Sequence, residues 1–165
     1  MSGFIDPTAI IGHPPEHFAK PYEQELYFAP EIDPSARIFK LVTVDAGTLS
    51  PTLVGARTQM FAHSHAGHDV KIGDDCQIAT GAVIGGHATI HNRVRVGLNA
   101  TVLPYKTVGV GARVGGGAVV TKDVPAHSCV MGNPARVAYW FCEHCGDKIP
   151  HGGLCSVCAL DLAVP

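Results

Sequence analysis

From Val54 onward every sixth residue is apolar: Met60, Ala66, Ile72, Ile78, Ile84, Ile90, Val96, Val102, Val108, Val114 and Val120. A second set follows these by four residues: Thr58, Ser64, Val70, Cys76, Ala82, Ala88, Val94, Ala100, Ala112, Ala118 and Val124, all small or β-branched. Lys106 is the exception in that set. Glycine recurs one residue after the first apolar position, at Gly55, Gly67, Gly73, Gly85, Gly97, Gly109 and Gly115. An amphipathic helix repeats near 3.6 residues and a half-buried strand near 2, so neither produces this period. A parallel β-helix does. Each hexad forms one flat side of a triangular prism, and three hexads complete a coil. Stacked coils hydrogen-bond at roughly 4.8 Å, the spacing of neighbouring strands. The branched residue points into the core, the small one fits beneath it, and glycine is expected to permit the close turn at a corner. The pattern predicts an all-β chain in which residues eighteen apart lie nearly on top of one another.

Upstream the frame continues after a break. Ile32, Ile38 and Val44 step by six, followed at four residues by Ala36, Val42 and Thr48. Reaching Val54 then takes four extra residues, and LSPTL (49–53) supplies a bulged loop. IDPTAIIG, from Ile5, resembles IDPSARIF, from Ile32, so Ile5 and Ile11 are expected to begin an edge coil. Residues 13–31 hold Pro14, Pro15, Pro21 and Pro30 and read as an excursion packed outside the prism. The hexad ends at Tyr139 and Trp140. Two units are expected: a β-helix over 1–138 and a small module over 139–165.

That module carries Cys142, Cys145, Cys155 and Cys158, two C-x2-C pairs nine residues apart. Paired thiolates at this spacing wrap a tetrahedral Zn2+, so a C-terminal zinc knuckle is expected, with iron as the competing metal. Two dozen residues bury little core, and the metal would supply most of the folding energy. A cap on the open end of the prism is the expected role. Cys76 falls at an inward hexad position and reads as packing.

Composition removes several classes. Apolar residues make up 46% and charged residues 16%, which excludes a disordered tail or a coiled coil. The formal net charge of −2 argues against a nucleic-acid partner. The N-terminus shows neither a positive n-region nor an apolar h-region, and no stretch reaches the ~18 apolar residues of a membrane span. A cytoplasmic protein without disulfides is the expectation.

Two segments make a resemblance specific. GGGAVVTKDVPAHSCVMGNPARVA (115–138) looks like the terminal coil of the hexapeptide-repeat acyltransferases, with V-T-K-D-V-P and G-N-P-A-R signatures. AHSHAGHDVKIGDDCQIATGAVIGGHATI (62–90) resembles the catalytic stretch of UDP-N-acetylglucosamine acyltransferase and of nucleotide-sugar N-acetyltransferases. The resemblance covers roughly residues 5 to 138. It implies a left-handed parallel β-helix, a homotrimer, an acyl thioester lying between neighbouring prisms, and transfer without a catalytic metal. It implies His68 as general base, Asp69 as its acidic partner, and His65 and His87 as further site histidines. The chain departs from the lipid-A enzyme in lacking its long C-terminal helical region and in carrying Leu103 where that enzyme has another histidine. Acetyl-CoA is therefore the expected donor, with an amine or hydroxyl of a sugar or nucleotide-linked sugar as acceptor.

The chemistry fits these residues. Acyl transfer needs a base near the nucleophile and a donor for the developing oxyanion. An imidazole titrates near neutrality and can accept the proton. Gly86 lies eighteen residues beyond His68, and its backbone N–H is the expected oxyanion donor. Asp69 is adjacent in sequence, where side chains of a flat strand point to opposite faces, so the corner must change that geometry. Lys122 and Arg136 are candidates for coenzyme A phosphates, and Gly116 for backbone approach to the pantetheine arm. Two other classes stay open on the same fold. A γ-class carbonic anhydrase would use histidines spaced like His63 and His68, and a non-catalytic scaffold would use the arm and the knuckle to bind partners.

Overall fold

The computed structural model describes residues 3–15, 27–142, 145–149 and 155. Within them the hexads become two-residue strands separated by turns, and these stack into three parallel faces. The first face runs through Phe4–Ile5, Arg37–Ile38, Gln59–Met60, Gln77–Ile78, Arg95–Val96 and Arg113–Val114. The second runs through Ile10–His13, Thr43–Asp45, His65–Ala66, Val83–Ile84, Thr101–Val102 and Val119–Val120. The third holds Glu31–Ile32, Leu53–Val54, Lys71–Ile72, Thr89–Ile90 and Thr107–Val108. No helix occurs among the described residues, and so none is long and apolar enough to cross a membrane.

Register follows the repeat. Gln77 pairs with Arg95, Val83 with Thr101 and Thr89 with Thr107, each eighteen residues on. In the coil containing the break, Thr43 pairs with His65 and Arg37 with Gln59, twenty-two residues apart, so the four extra residues leave the ladder intact. Both inward sets are buried from Val54 to Val124 except Lys106, which is half-buried. One continuous cluster fills the column, with Ile38, Ile78, Ile84 and Val102 fully inaccessible. Each such side chain contributes about 1.5–3 kcal/mol relative to an exposed one.

The corners work differently from the expectation for glycine. The left-handed turn position falls just before the small inward residue, at Arg57, His63, Asp69, Asp75, His87, Arg93, Asn99 and Tyr105, mostly without glycine. The recurrent hexad glycine instead answers to the coil above. A Cβ on Gly73 would stand 2.2 Å from Asn92 Oδ1 and 2.9 Å from its backbone nitrogen. The resemblance between IDPT and IDPS also has a local cause. Asp6 accepts from Thr8 N–H and O–H at 2.9 and 2.6 Å, and Asp33 does the same with Ser35 at 2.8 and 2.6 Å. In the stack, however, Ile5 lies on Ile38 and Ile11 on Val44.

Beyond the last coil the chain reverses. Ser128–Met131 still runs parallel to Arg113–Val114, but Arg136–Phe141 pairs antiparallel with it and Lys148–Ile149 antiparallel in turn. Trp140, Cys142, Ile149 and Cys155 form a second small core there. Residues 16–26, the bulk of the expected excursion, and the tail beyond Ile149 other than Cys155 lie outside the described residues.

Replacing Ile84 by Ala should cost about 2–5 kcal/mol, read from the midpoint and slope of urea unfolding. Leu49→Ala, at a position 74% exposed, should leave the midpoint nearly unchanged.

Candidate active site at a corner of the column

The corner between the second and third faces stacks three short turns: Gly67-His68-Asp69, Gly85-Gly86-His87 and Leu103-Pro104-Tyr105. Backbone bonds hold them in line, His87 N–H to His68 O at 2.9 Å and Tyr105 N–H to Gly86 O at 3.0 Å. Asp69 takes a φ of 58°, and this left-handed turn folds its side chain back towards its neighbour. His68 Nδ1 lies 2.9 Å from Asp69 Oδ2, a contact that a flat strand would forbid.

The carboxylate of Asp69 is the most heavily bonded group at the corner. Oδ2 accepts from Thr48 N–H and O–H at 2.9 and 2.6 Å, and Oδ1 accepts from Leu49 and Ser50 N–H at 2.8 and 2.7 Å. Thr48 and the first two residues of the break, Leu49 and Ser50, thus supply a ring of donors around one buried acid. Burial pushes its carboxyl up, but the hydrogen bonds from Thr48, His68 and Leu49 outweigh it and hold the group well below the usual carboxylate range. Ionised, Asp69 can only accept, so the proton of His68 resides on Nδ1 and the ring's lone pair on Nε2.

Nε2 faces Gly86. A Cβ on that glycine would stand 2.6 Å from it and 2.8 Å from Cε1. The neighbouring N–H groups of Gly85 and His87 are taken up in the ladder, by Val102 O and His68 O. That of Gly86 is absent from the ladder among the described residues. His87 packs edge-on against His68, centroids 4.8 Å apart, and stacks flat on Tyr105 at 4.6 Å and 7°. Its Nε2 stands 3.8 Å from Asp69 Oδ2. His65, on the second face, shares a 2.8 Å hydrogen bond between Nδ1 and Thr43 Oγ1, and its Nε2 lies 3.8 Å from Asp45. A cleft of about 560 Å³ opens here, with His65, His68, Gly67, Gly86, Thr43 and Asp45 in its wall.

The structure therefore brings His65, His68, Asp69, Gly86 and His87 together. Lys122 lies exposed further up the column, two residues after the second-face strand Val119–Val120. Gly116 sits at the corner between the first and second faces, and exposed Arg136 begins the reversed strand, donating to Ala135 O at 2.9 Å. None of these three lines the cleft. His63 and His68 flank the strand His65–Ala66 at opposite corners. At the other end of the chain, the Sγ atoms of Cys142, Cys145 and Cys155 lie within 4.8 Å of one another, and Cys158 falls outside the described residues. Sequence reasoning missed Thr43, Asp45, Thr48, Ser50 and Tyr105. The break in the hexad was the signal for Thr48 and Ser50. Tyr105 stands eighteen residues beyond His87 and could have been found by stacking alone.

A scan of protein families matches no family model. Curated relatives exist. UDP-3-O-acylglucosamine N-acyltransferase of Methylorubrum extorquens is 34% identical over 102 residues, 61% of this chain and 29% of that one. Serine acetyltransferase of Bacillus pumilus is 35% identical over 128 residues, 70% of this chain and 57% of that one. Among solved structures, UDP-N-acetylglucosamine O-acyltransferase of Moraxella catarrhalis superposes with a TM-score of 0.75 at 28% identity, over 81% of this chain and 52% of that one. These homologues are acyltransferases of the hexapeptide-repeat kind, and the chain shares their left-handed parallel β-helix. It spans between about a third and just over half of the length of the curated relatives named here.

A carboxyl depressed in the fold stabilises it fully above the ordinary aspartate value, near pH ~4, and loses that contribution as the pH falls below it. Thermal melts from pH ~5 to ~3 should fall more steeply for the wild type than for Asp69→Asn. The other low carboxyls, Asp6, Asp33 and Asp75, are common to both proteins. Parallel curves would remove Asp69 from this role.

Proposed function

We propose that the chain is an acyltransferase with His68 as general base, moving an acetyl group from acetyl-CoA to an amine or hydroxyl of a nucleotide-linked sugar. The observation that carries this reading is the imidazole held at Nδ1 by a buried carboxylate, with Nε2 against Gly86 beside an open cleft. Nε2 takes the proton from the acceptor as its nitrogen or oxygen attacks the thioester carbonyl. The carbonyl oxygen becomes an oxyanion, and the Gly86 N–H donates to it. Collapse breaks the C–S bond, and the leaving thiolate receives the proton back from Nε2. Asp69 orients the ring and balances the imidazolium that forms between these steps.

Three supports bear on the finer assignments. Two of the relatives carry UDP-linked glucosamine in their names, which favours a nucleotide-sugar acceptor. Serine acetyltransferase among them favours acetyl over a long chain. Leu103 and Pro104 cap the corner one coil beyond Gly86, and His65 with its Thr43 and Asp45 partners offers polar contacts for the acceptor. Lys122, Gly116 and Arg136 are the candidates for coenzyme A, each reaching the donor from outside the cleft wall. The assembly proposed is a homotrimer, in which a second copy would close that donor groove.

With acetyl-CoA and a panel of UDP- and other nucleotide-linked amino sugars, release of thiol should fall at least ~10²-fold in His68→Ala, the scale of a lost general base, with the β-helix still folded. Turnover at wild-type rate in that variant would refute the assignment. Gly86→Ala tests the geometry separately. It removes no functional group, yet its Cβ would displace Nε2, and a loss of kcat comparable to that of His68→Ala is expected.

A further inference from the structure

The transfer step uses none of the cysteines beyond the column. Cys142 directly follows the strand Arg136–Phe141 and is 3% exposed, and Cys155 is 1% exposed. Cys145 is exposed. Cys145 and Cys155 Sγ are 3.5 Å apart, and all three Sγ atoms fall within 4.8 Å of one another. The backbone is shaped to this end. Gly146 N–H donates to Cys142 O at 2.8 Å with a φ of 74°, and Cys142 N–H donates to Asp147 O at 2.9 Å. That tight turn carries the two thiols of one C-x2-C pair to the same side, and the chain then returns Cys155 to meet them.

We propose that Cys142, Cys145, Cys155 and Cys158 bind one structural Zn2+, which ties the strands Arg136–Phe141 and Lys148–Ile149 across the last coil of the column. Cys158 lies outside the described residues and enters through its C-x2-C spacing to Cys155. Tetrahedral Zn2+ takes four thiolates at about 2.3 Å each, and three sulfurs already gathered within 4.8 Å need only small movements to reach that shell. The apolar alternative is thin. Trp140 and Ile149, with half-buried Val137, are the only non-cysteine members of the second core among the described residues. A metal cross-link supplies what that core lacks. What it holds is the edge of the sheet. Phe141 N–H donates to His127 O at 2.7 Å, and the Arg113 guanidinium stacks 3.7 Å over the Phe141 ring. The reversed strands therefore cover backbone that a further coil would otherwise pair with.

A second group of metal-ligating atoms, those of His68, Asp69 and His87, also lies within 4.8 Å. It serves as the control, because the Asp69 oxygens are committed to Thr48, Leu49, Ser50 and His68.

The test is metal analysis of the full chain purified without added metal. One zinc per chain is expected in the wild type and in His68→Ala, and less than a tenth of that in the double variant Cys142→Ser with Cys155→Ser. Should the double variant fail to fold, Co2+ exchanged into the wild type reads the ligands directly. A tetrahedral four-thiolate spectrum, with strong sulfur-to-cobalt charge transfer, supports the proposal. Its absence overturns it, as do iron in place of zinc, no bound metal, or zinc that leaves with His68→Ala and stays in the cysteine variant. Removing the metal with a mercurial should speed hydrogen exchange at Phe141 N–H at least tenfold and leave Gly85 N–H in the column unchanged. Equal protection at Phe141 with and without metal would sink the tying role while leaving the acyl-transfer assignment untouched.

Discussion

Registry between coils is the constraint on which everything else in this chain rests. In the regular coils each strand residue pairs with one eighteen places further, and the inward side chains alternate with outward ones along each two-residue strand. A slip of one residue would exchange Ile84 for Val83 in the core and turn the whole face inside out. The branched aliphatics prevent that slip because only they fill the narrow column, and Ala82, Ala88, Ala100, Ala112 and Ala118 leave room for them. The site inherits its precision from the same bonds. His68 and Gly86 are neighbours because the ladder makes them so, and the coil spacing together with the Asp69 contact at Nδ1 sets where Nε2 stands against the Gly86 backbone.

Against that regularity, one coil carries four residues too many, and they are placed where the column needs an exception. Within the regular coils an acid collects backbone donors singly at the corners, as Asp33 does from Ser35 N–H and Asp74 from Ala56 N–H. The inserted segment supplies several at once. Thr48, Leu49 and Ser50 turn their N–H groups onto Asp69, and a carboxylate so surrounded stays charged although it is buried. Its partner imidazole is then fixed in one tautomer by that carboxylate. The insertion therefore links the architecture to the chemistry. It costs the column little, since the strands on either side pair as if it were absent.

The column was legible from the period of six, and the stacking of Gly86 and His87 beside His68 from the period of eighteen. That these histidines mark a site came from the resemblance of 62–90 to the acyltransferases, and not from the periods. What was not legible lies where a period stops deciding. The break at 49–53 could be counted, but not that its backbone points at Asp69, because donor direction is a property of turn geometry rather than of residue type. Glycine was read as the turn former. Asp69, His87 and Tyr105 take the left-handed position instead, and the glycines make way for the next coil. Thr43 and Asp45 escaped notice as outward residues of an ordinary hexad, and they matter only because His65 stands directly above Thr43.

The end of the column obeys a different period, and that change explains why the repeat fails where it does. A parallel coil presents an open ladder to whatever follows, and stacking another hexad on it merely moves the open edge outward. Reversing the chain replaces the period of six by the alternation of an antiparallel strand. Arg136 and Ala138 are exposed, Val137 and Tyr139 are half-buried, and Trp140 and Phe141 are buried. The opposite end shows the contrast. Phe4, Ile5 and Ile10, in the first coil, keep 40–51% of their surface exposed among the described residues. A fold built on indefinite repetition has no internal reason to stop, so its termination has to be written by a segment with a different pattern. Here that segment is marked by large aromatics, Tyr139, Trp140 and Phe141, in place of the branched aliphatics, with the first cysteine pair directly after them.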